Sequence, residues 1–564
     1  MSKKIISFIM LICIIIATGC SNDSKKVEVM DQTKVTKVEK TTEESDELKD
    51  DSRLYEMEKR DSVDTFYVTI TEDNATSFYE LDKWYSLHDS NSNAPKLDIL
   101  IQEGTEKGIK KGAFGSNESS PNASIELRGK STRVAAQKSF KINFYDSAGL
   151  WKGQKTLNLN KHPYDSTRIR NKLSFDYFTL IPHLTSLRTQ FVHLYVRDLT
   201  DKNSKAKFTD YGLYTHIEQA NERFLATHGL DSNGNLYKAT TFEFYRYDNQ
   251  LKLETDPSFK KSEFEKILEI KGSKDHKKLL EMLDDVNNYS LNINDVVNEH
   301  FDKENYLTWM ATSILMGNQD VITQNFYLYS PVNSKKWYFL PWDYDGGWST
   351  SLKVEAREEL PDWQKGLSNY WGAVLHKRFF RDPNNVDALS KKIEELSKII
   401  TKKQTKEFLD EYYPVVSKFV KRSPDKDHLD IKVSDYKKAF YDFLDESEEN
   451  KKIYYQNIEQ PMPFFLDEIE KENGYEFEWD ASYDIQGDDL SYTFQISKDP
   501  SFSNPIVQKK GLTNTTITMK KLAKGTYYWR VIAIDSKGHK RLAFDQYEDD
   551  EGTKYFGIMK FVVN

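Results

Sequence analysis

Four side chains that offer hard oxygen atoms fall within one short stretch. Asp320 and Asn325 are five residues apart in Gly317-Asn-Gln-Asp-Val-Ile-Thr-Gln-Asn-Phe-Tyr-Leu-Tyr, and Asp343 and Asp345 follow in Trp337-Tyr-Phe-Leu-Pro-Trp-Asp-Tyr-Asp-Gly-Gly-Trp. Phosphoryl transfer needs a carboxylate to orient the acceptor hydroxyl. It also needs an amide oxygen and a further carboxylate on a divalent cation that bridges the nucleotide phosphates. Oxygen ligands suit Mg²⁺ or Mn²⁺, and few are required because phosphates and water complete the octahedron. An Asp-x4-Asn pair alone occurs in many chains, but joined to a hairpin ending in Asp-Tyr-Asp-Gly it is far more specific. The competing reading makes Asp320 a turn or capping residue and Asn325 a strand start. Asp343 and Asp345 would then only bound a turn before Gly346-Gly347.

The elements around these residues set where they can sit. Phe326-Tyr-Leu-Tyr and Lys336-Trp-Tyr-Phe-Leu alternate as the two arms of a hairpin. Upstream, Phe66-Tyr-Val-Thr-Ile, Lys96 to Ile101, Ser124 to Gly129, Ser139 to Phe144 and Gln190 to Val196 are strand candidates, whereas Asp165–Tyr177 and Glu218–His228 have helical spacing. A long helical region runs from about Ser258 to Met316, and 386–470 is mostly helical. This is an α+β chain, β-rich first and α-rich second. The last ninety or so residues alternate in short strands between turn residues, which predicts a small all-β sandwich. Its Gly525-Thr-Tyr-Tyr-Trp-Arg-Val run resembles the penultimate strand of fibronectin type III domains. The expected domains are 65–470 and 472–564.

The N-terminus predicts export. Lys3 and Lys4 precede an apolar run, Ile5 to Ile16, that is shorter than the roughly 20 residues a permanent span requires. Ala17-Thr18-Gly19-Cys20 then has the form of a lipoprotein processing site. Residues 1–20 are expected to be a signal peptide, Cys20 the lipidated residue, and 21–64 a polar, flexible tether on the outer face of the cell membrane. The cysteines are Cys13 and Cys20 alone, so the processed chain has no disulfide and no thiol chemistry in its domains. The net charge of −9 comes from 80 basic and 89 acidic residues spread along the chain, which argues against nucleic acid as a partner. His162, His183, His193 and His216 have no ligand-like spacing and are expected to be structural.

The catalytic stretch resembles the signature of the CotH family of atypical protein kinases, with Asp and Asn before an aromatic strand and then Pro-Trp-Asp-x-Asp. Further landmarks keep the family order: Leu127-Arg-Gly-Lys-Ser-Thr-Arg, Lys138-Ser-Phe-Lys-Ile, Arg170-Asn-Lys-Leu, Gly212-Leu-Tyr-Thr-His-Ile-Glu-Gln and Gly234-Asn-Leu-Tyr-Lys-Ala. The resemblance covers roughly 65–460. It implies an atypical, two-lobed kinase domain using ATP with Mg²⁺ or Mn²⁺ on protein Ser or Thr hydroxyls, spore-coat or envelope proteins among the substrates.

By the same resemblance, Asp320 is the catalytic carboxylate, Asn325 and Asp343 hold the metal, and Asp345 is a second metal or structural carboxylate. Lys138, or failing it Lys141, would bind the nucleotide phosphates. The two differ by three positions along a strand, so only one can face the cleft. Glu218 would pair with that lysine, Trp337 would stack on adenine, and Arg128 and Arg133 would hold phosphate. The chain has no Gly-x-Gly-x-x-Gly loop and no His-Arg-Asp triplet, and Asp-Tyr-Asp replaces Asp-Phe-Gly. Nucleotide transfer and a non-catalytic surface-binding lipoprotein therefore stand as alternatives.

Overall fold

The computed structural model describes residues 48, 50–88, 92–129, 131–200, 206–348, 361, 363–471, 474–520 and 522–563. The signal peptide, Cys20 and the tether up to residue 47 lie outside the described residues. Among the described residues no helix is long and apolar enough to cross a membrane.

The first half forms a large sheet. Its strands are β1 (Val63–Ile70), β2 (Leu97–Thr105), β3 (Gly108–Ile109), β4 (Ala123–Arg128), β5 (Ser139–Phe144), β6 (Thr156–Asn160), β7 (Thr189–Asp198) and β8 (Thr209–Ile217), in the order β1-β7-β8-β6-β5-β4-β2-β3. Because β1 pairs with both β7, in parallel, and β2, antiparallel, the sheet closes on itself. Strand alternation divides its faces. Phe66, Val68, Ile99, Ile125, Leu127, Phe140, Ile142 and Leu159 share one apolar core. Opposite parity puts Arg128, Glu126, Lys141, Ser139 and Asn158 on the other face.

A second sheet joins β9 (Asn235–Ala239), β10 (Leu268–Ile270), β11 (Phe326–Ser330) and β12 (Tyr338–Pro341) in the order β10-β9-β11-β12. The expected aromatic hairpin is β11–β12, with Phe326 opposite Pro341 and Tyr329 opposite Tyr338. Of the helices Lys277–Asn287, Ile293–His300, Lys303–Leu315, Pro383–Leu396, Lys402–Val420 and Glu446–Ile458, Lys303–Leu315 packs on β12 and Lys402–Val420 on β8 of the first sheet. The chain is thus α+β, with a β-rich first part, a helical second part and a terminal all-β sandwich. The expected continuous helical run from Ser258 to Met316 is interrupted by β10 and by loops. Leu268 pairs with Ala239 and Ile270 with Tyr237, so β9 recruits this segment as a strand partner.

Two boundaries move. The tether does not stay free up to residue 64. Asp50 pairs with His228 at 2.7 Å, Tyr55 donates to the Ser186 carbonyl at 2.9 Å, and Arg60 reaches Asp176 at 3.2 Å. Ion pairs and hydrogen bonds fasten this stretch, and Leu48 and Val63 pack against the main core. The sandwich starts before 472, since Phe464 and Leu466 already point into its core. It packs the three strands Leu466–Lys471, Gly474–Trp479 and Thr516–Lys520 against a sheet built on Val507–Leu512, Ser491–Ser497, Gly525–Ile534, Lys540–Leu542 and Ile558–Val563. Trp479, Phe477, Phe494 and Trp529 fill the space between.

Candidate active site

A cleft between the outer face of the closed sheet and the β9–β12 sheet gathers the oxygen-bearing residues. Two adjoining cavities, of about 290 and about 400 Å³, share Arg128, Gly129, Asp320 and Asp343. Asp345, His162 and Arg170 line the first; Asn325, Gln324, Lys238, Lys271 and Trp342 line the second.

The acidic side is held by a network of amides. Asp320 accepts from Gln324 Nε2 at 2.6 Å and from Asn325 Nδ2 at 2.7 Å. This turns the Asn325 amide oxygen away from Asp320, available to a cation. The Asp320 backbone N–H donates to Asn318 Oδ1 at 3.2 Å. Desolvation at the cleft wall, reinforced by the charge of Asp345, raises the Asp320 carboxyl above its ordinary value despite the Gln324 and Asn325 donors.

Asp343 follows the hairpin at φ 54°, and Asn325 precedes it at φ 60°. Both stand in the left-handed region that Asn and Asp tolerate better than most residues. Asn171, on the helix Arg170–Phe178, accepts from the Tyr344 N–H at 3.1 Å and donates to Asp343 Oδ1 at 3.4 Å. Burial first, and then Asp345, push the Asp343 carboxyl up to about 7, against the pull of Arg128, His162 and Lys238. A half-buried carboxylate beside a second carboxylate, served by one long hydrogen bond, is short of positive charge. A divalent cation would supply it, so the residues present fit a metal. The three carboxylates are not among the groups whose ligand atoms close to within 4.8 Å of one another.

The basic side differs from expectation. Arg128 lies in the cleft as expected, donates to Asn160 and stands 5.4 Å from the Trp342 ring centre. Lys141 faces the same way but is held by Glu126 at 3.8 Å. Lys138, the favoured phosphate lysine, points elsewhere: its ammonium donates to the carbonyls of Arg133 at 2.7 Å and Ala135 at 2.6 Å. It therefore braces the loop that carries Arg133, which does line the larger cavity. The lysines that line the cleft are Lys271, just beyond β10, and Lys238 on β9. Lys238 stands opposite Tyr327 on β11 and Glu269 on β10. Its ammonium lies 3.6 Å from Glu269 and 5.8 Å from the Trp342 ring centre, and burial lowers its pKa.

Two further assignments are corrected. Glu218 meets no lysine. It binds Arg188 at 2.6 Å and His228 at 2.9 Å behind the end of β8. Burial disfavours its charge, but His228 and Arg188 outweigh that and hold its carboxyl at about 2. Trp337 is fully buried, its ring centre 5.9 Å from that of Tyr237, and has no face left for a base. Trp342, five residues on, is the tryptophan that lines the cleft. His162, read as structural, lies beside the site with Nδ1 at 3.6 Å from Asp345. His193 and His216 are buried and bonded to Asp210 and Gln154, as structural histidines should be.

Sequence reasoning missed Lys238, Glu269, Trp342, Asn171 and His162 as site residues. Lys238 and Asn171 stood inside quoted landmarks, and Trp342 in the Pro-Trp-Asp motif itself. Nothing in the spacing marked Glu269.

This cleft has the layout of a nucleotide–metal site between two lobes. Residues 125–456 match the family model for CotH kinase protein. That is more than half of the chain, which belongs to the CotH kinase protein family. A relative, the inner spore coat protein H of Bacillus subtilis (strain 168), is 24% identical over 302 residues, covering 52% of this chain and 79% of that protein. The crystal structure of a Helicobacter pylori proinflammatory kinase, CtkA, aligns with 57% of this chain and 91% of its own at 14% identity, with a TM-score of 0.21. A likeness that slight carries no argument; the kinase assignment rests on the family match.

Proposed function

We propose that the chain is an ATP- and metal-dependent protein kinase that phosphorylates Ser or Thr hydroxyls. The observation that carries the reading is the pairing of Asp320 with Asn325 at 2.7 Å in a cleft that also holds the half-buried Asp343, Arg128 and Lys238. Asn325 and Asp343, with Asp345 beside them, would hold Mg²⁺ or Mn²⁺. The bound ion would neutralise charge on the phosphates during transfer. Arg128 and Lys238 would bind phosphate oxygens, and Trp342 would offer an aromatic face beside them. Asp320 would orient the acceptor hydroxyl and accept its proton, a role its raised pKa favours.

Display on the outer face of the membrane through a lipid on Cys20 belongs to the same proposal and rests on the N-terminal pattern. So do spore-coat or envelope proteins as substrates, which the name of the Bacillus relative supports. The sandwich would serve as a binding or spacing module of fibronectin type III kind.

The test is incubation of the full chain with γ-labelled ATP, Mg²⁺ or Mn²⁺ and a Ser-rich protein, beside Asp320→Ala, with mass spectrometry of the product. Label transfer that the variant lacks, with a phosphate-sized mass increment, is the expected result. A nucleotide-sized increment would overturn phosphoryl transfer, and no transfer by a chain that also fails to bind ATP would leave a non-catalytic surface protein.

A further inference from the structure

A cluster far from the cleft in sequence has its own chemistry. Asp484 and Asp488 lie in the loop before the strand Ser491–Ser497, and Asp535 opens the turn between the strands Gly525–Ile534 and Lys540–Leu542. Each of the three offers a carboxylate oxygen within 4.8 Å of the others. Acidic groups crowd together on many surfaces without consequence, but here Asp484 and Asp535 are each only 5% exposed. The Asp488 N–H donates to Asp484 Oδ1 at 2.9 Å, while Asp484 Oδ2 is buried with no hydrogen-bond partner.

The positive groups around the cluster do not reach that oxygen. Lys537 stands 2.7 Å from Asp488 Oδ2, and His539 Nδ1 stands 2.7 Å from Asp535 Oδ2. Both side chains are about half exposed, at 50% and 40%, so both can swing outward. Ser536 Oγ and the N–H groups of Lys537 and His539 complete the shells of Asp488 and Asp535. Asp484 is left as a buried carboxylate with one oxygen that no donor reaches, in a group of three carboxylates.

The geometry points to a divalent-cation site formed by Asp484, Asp488 and Asp535, of the class that Ca²⁺ fills. An all-oxygen shell from two loops suits Ca²⁺, which accepts irregular arrangements of six to eight oxygens. Mg²⁺ demands a near-ideal octahedron and keeps its own water, which fits a loop-built site less well.

The position gives the ion a consequence. Asp484 lies between two residues that dock the sandwich onto the helical lobe. Tyr483 donates to the Arg381 carbonyl at 2.7 Å and stacks on Trp371 with ring centres 5.7 Å apart. Ile485 packs into the core of the helical lobe. The Met462 N–H donates to the Tyr483 carbonyl at 2.7 Å. A cation tying Asp484 to Asp535 fixes this loop to the sandwich and so stiffens the junction between the two domains.

Calcium titration calorimetry of the full chain without nucleotide tests the site, beside Asp484→Asn, Asp488→Asn and Asp343→Asn. The expected result is one Ca²⁺ with a dissociation constant on the order of 10⁻⁴–10⁻³ M, as in extracellular modules. Asp484→Asn loses it and Asp343→Asn keeps it. Asp488→Asn, a less buried position that guards against misfolding of the first variant, binds about tenfold or more weakly. A melting temperature that rises with Ca²⁺ in the wild type and not in Asp484→Asn accompanies this. No calcium binding by the wild type, unchanged binding in both loop variants, or saturation by Mg²⁺ in preference to Ca²⁺ would each overturn the site.

Discussion

The acidic wall of the cleft comes from a single stretch between Asp320 and Asp345, whereas the basic wall is gathered from Arg128 on β4, Arg133 in the loop before β5, Lys238 on β9 and Lys271 just beyond β10. In the first wall, a turn and a hairpin place the carboxylates, so five residues of spacing translate directly into the 2.7 Å bond between Asp320 and Asn325. In the second, the position of each cation depends on which strand pairs with which, and on which face its parity selects. Local chemistry can be built from a short segment. Complementary charge must be brought to it by the fold.

The largest effect is expected on the acidic wall. Asp343→Asn removes the carboxylate whose pKa is pushed furthest up at the site, and transfer should fall by about 10²–10³-fold or more in a steady-state assay. Activity within a few-fold of the wild type would take Asp343 out of the metal site. Next comes Glu218, which the comparison assigns to neither wall. Glu218→Gln leaves Arg188 and His228 without their buried partner and should cost about 3–5 kcal/mol in denaturant unfolding. A nucleotide-affinity loss without a stability loss would instead restore it as the partner of a cleft lysine.

On the basic wall, Arg128→Met should weaken ATP binding by about ten- to a hundredfold through loss of a charge-assisted phosphate contact. Lys138→Met should weaken it much less than Arg128→Met does, since that ammonium serves the Arg133 loop. Equal losses at the two positions, read by calorimetry, would return Lys138 to the cleft.

The smallest effect is a pH dependence of stability. Burial opposes charge on His228, but Asp50 and Glu218 overcome it and raise its pKa to about 9, from an ordinary 6.5. That contribution is full below about 6.5 and is lost as pH rises through 9. Glu218, held at about 2 from an ordinary 4.5, contributes fully above about 4.5 and loses it as pH falls through 2. The pair therefore stabilises most between about pH 4.5 and 6.5, and Asp50→Asn with Glu218→Gln should flatten the melting temperature across pH 6.5–9, either change alone reducing its slope. An unflattened profile would place the titration elsewhere.

The same contrast explains what could be read before the structure. The β11–β12 hairpin, the placing of Asp320, Asn325, Asp343 and Asp345, and the terminal sandwich were legible because alternation and turn residues are local signals. Closure of the large sheet through the parallel pairing of β1 with β7 was not, because no local pattern encodes which distant strand a strand will meet. Lys138 was misplaced for a local reason: it stands just before β5, where its ammonium folds back on the carbonyls of Arg133 and Ala135. Trp337 and Trp342 were exchanged because the hairpin arm that buries Trp337 ends at Pro341, and only beyond it does a tryptophan reach the cleft. The pairing of Lys238 with Glu269 depends on β10, a three-residue strand inside a helical pattern.

The central claim is that the two walls together bind a metal–nucleotide complex. Calorimetric titration of ATP into the full chain, with Mg²⁺ and then with EDTA, beside Asp343→Asn and Arg128→Met, tests it most directly. The account predicts binding that requires the metal, is lost in Asp343→Asn and is weakened in Arg128→Met. Binding that persists in EDTA and is unchanged in both variants would contradict it.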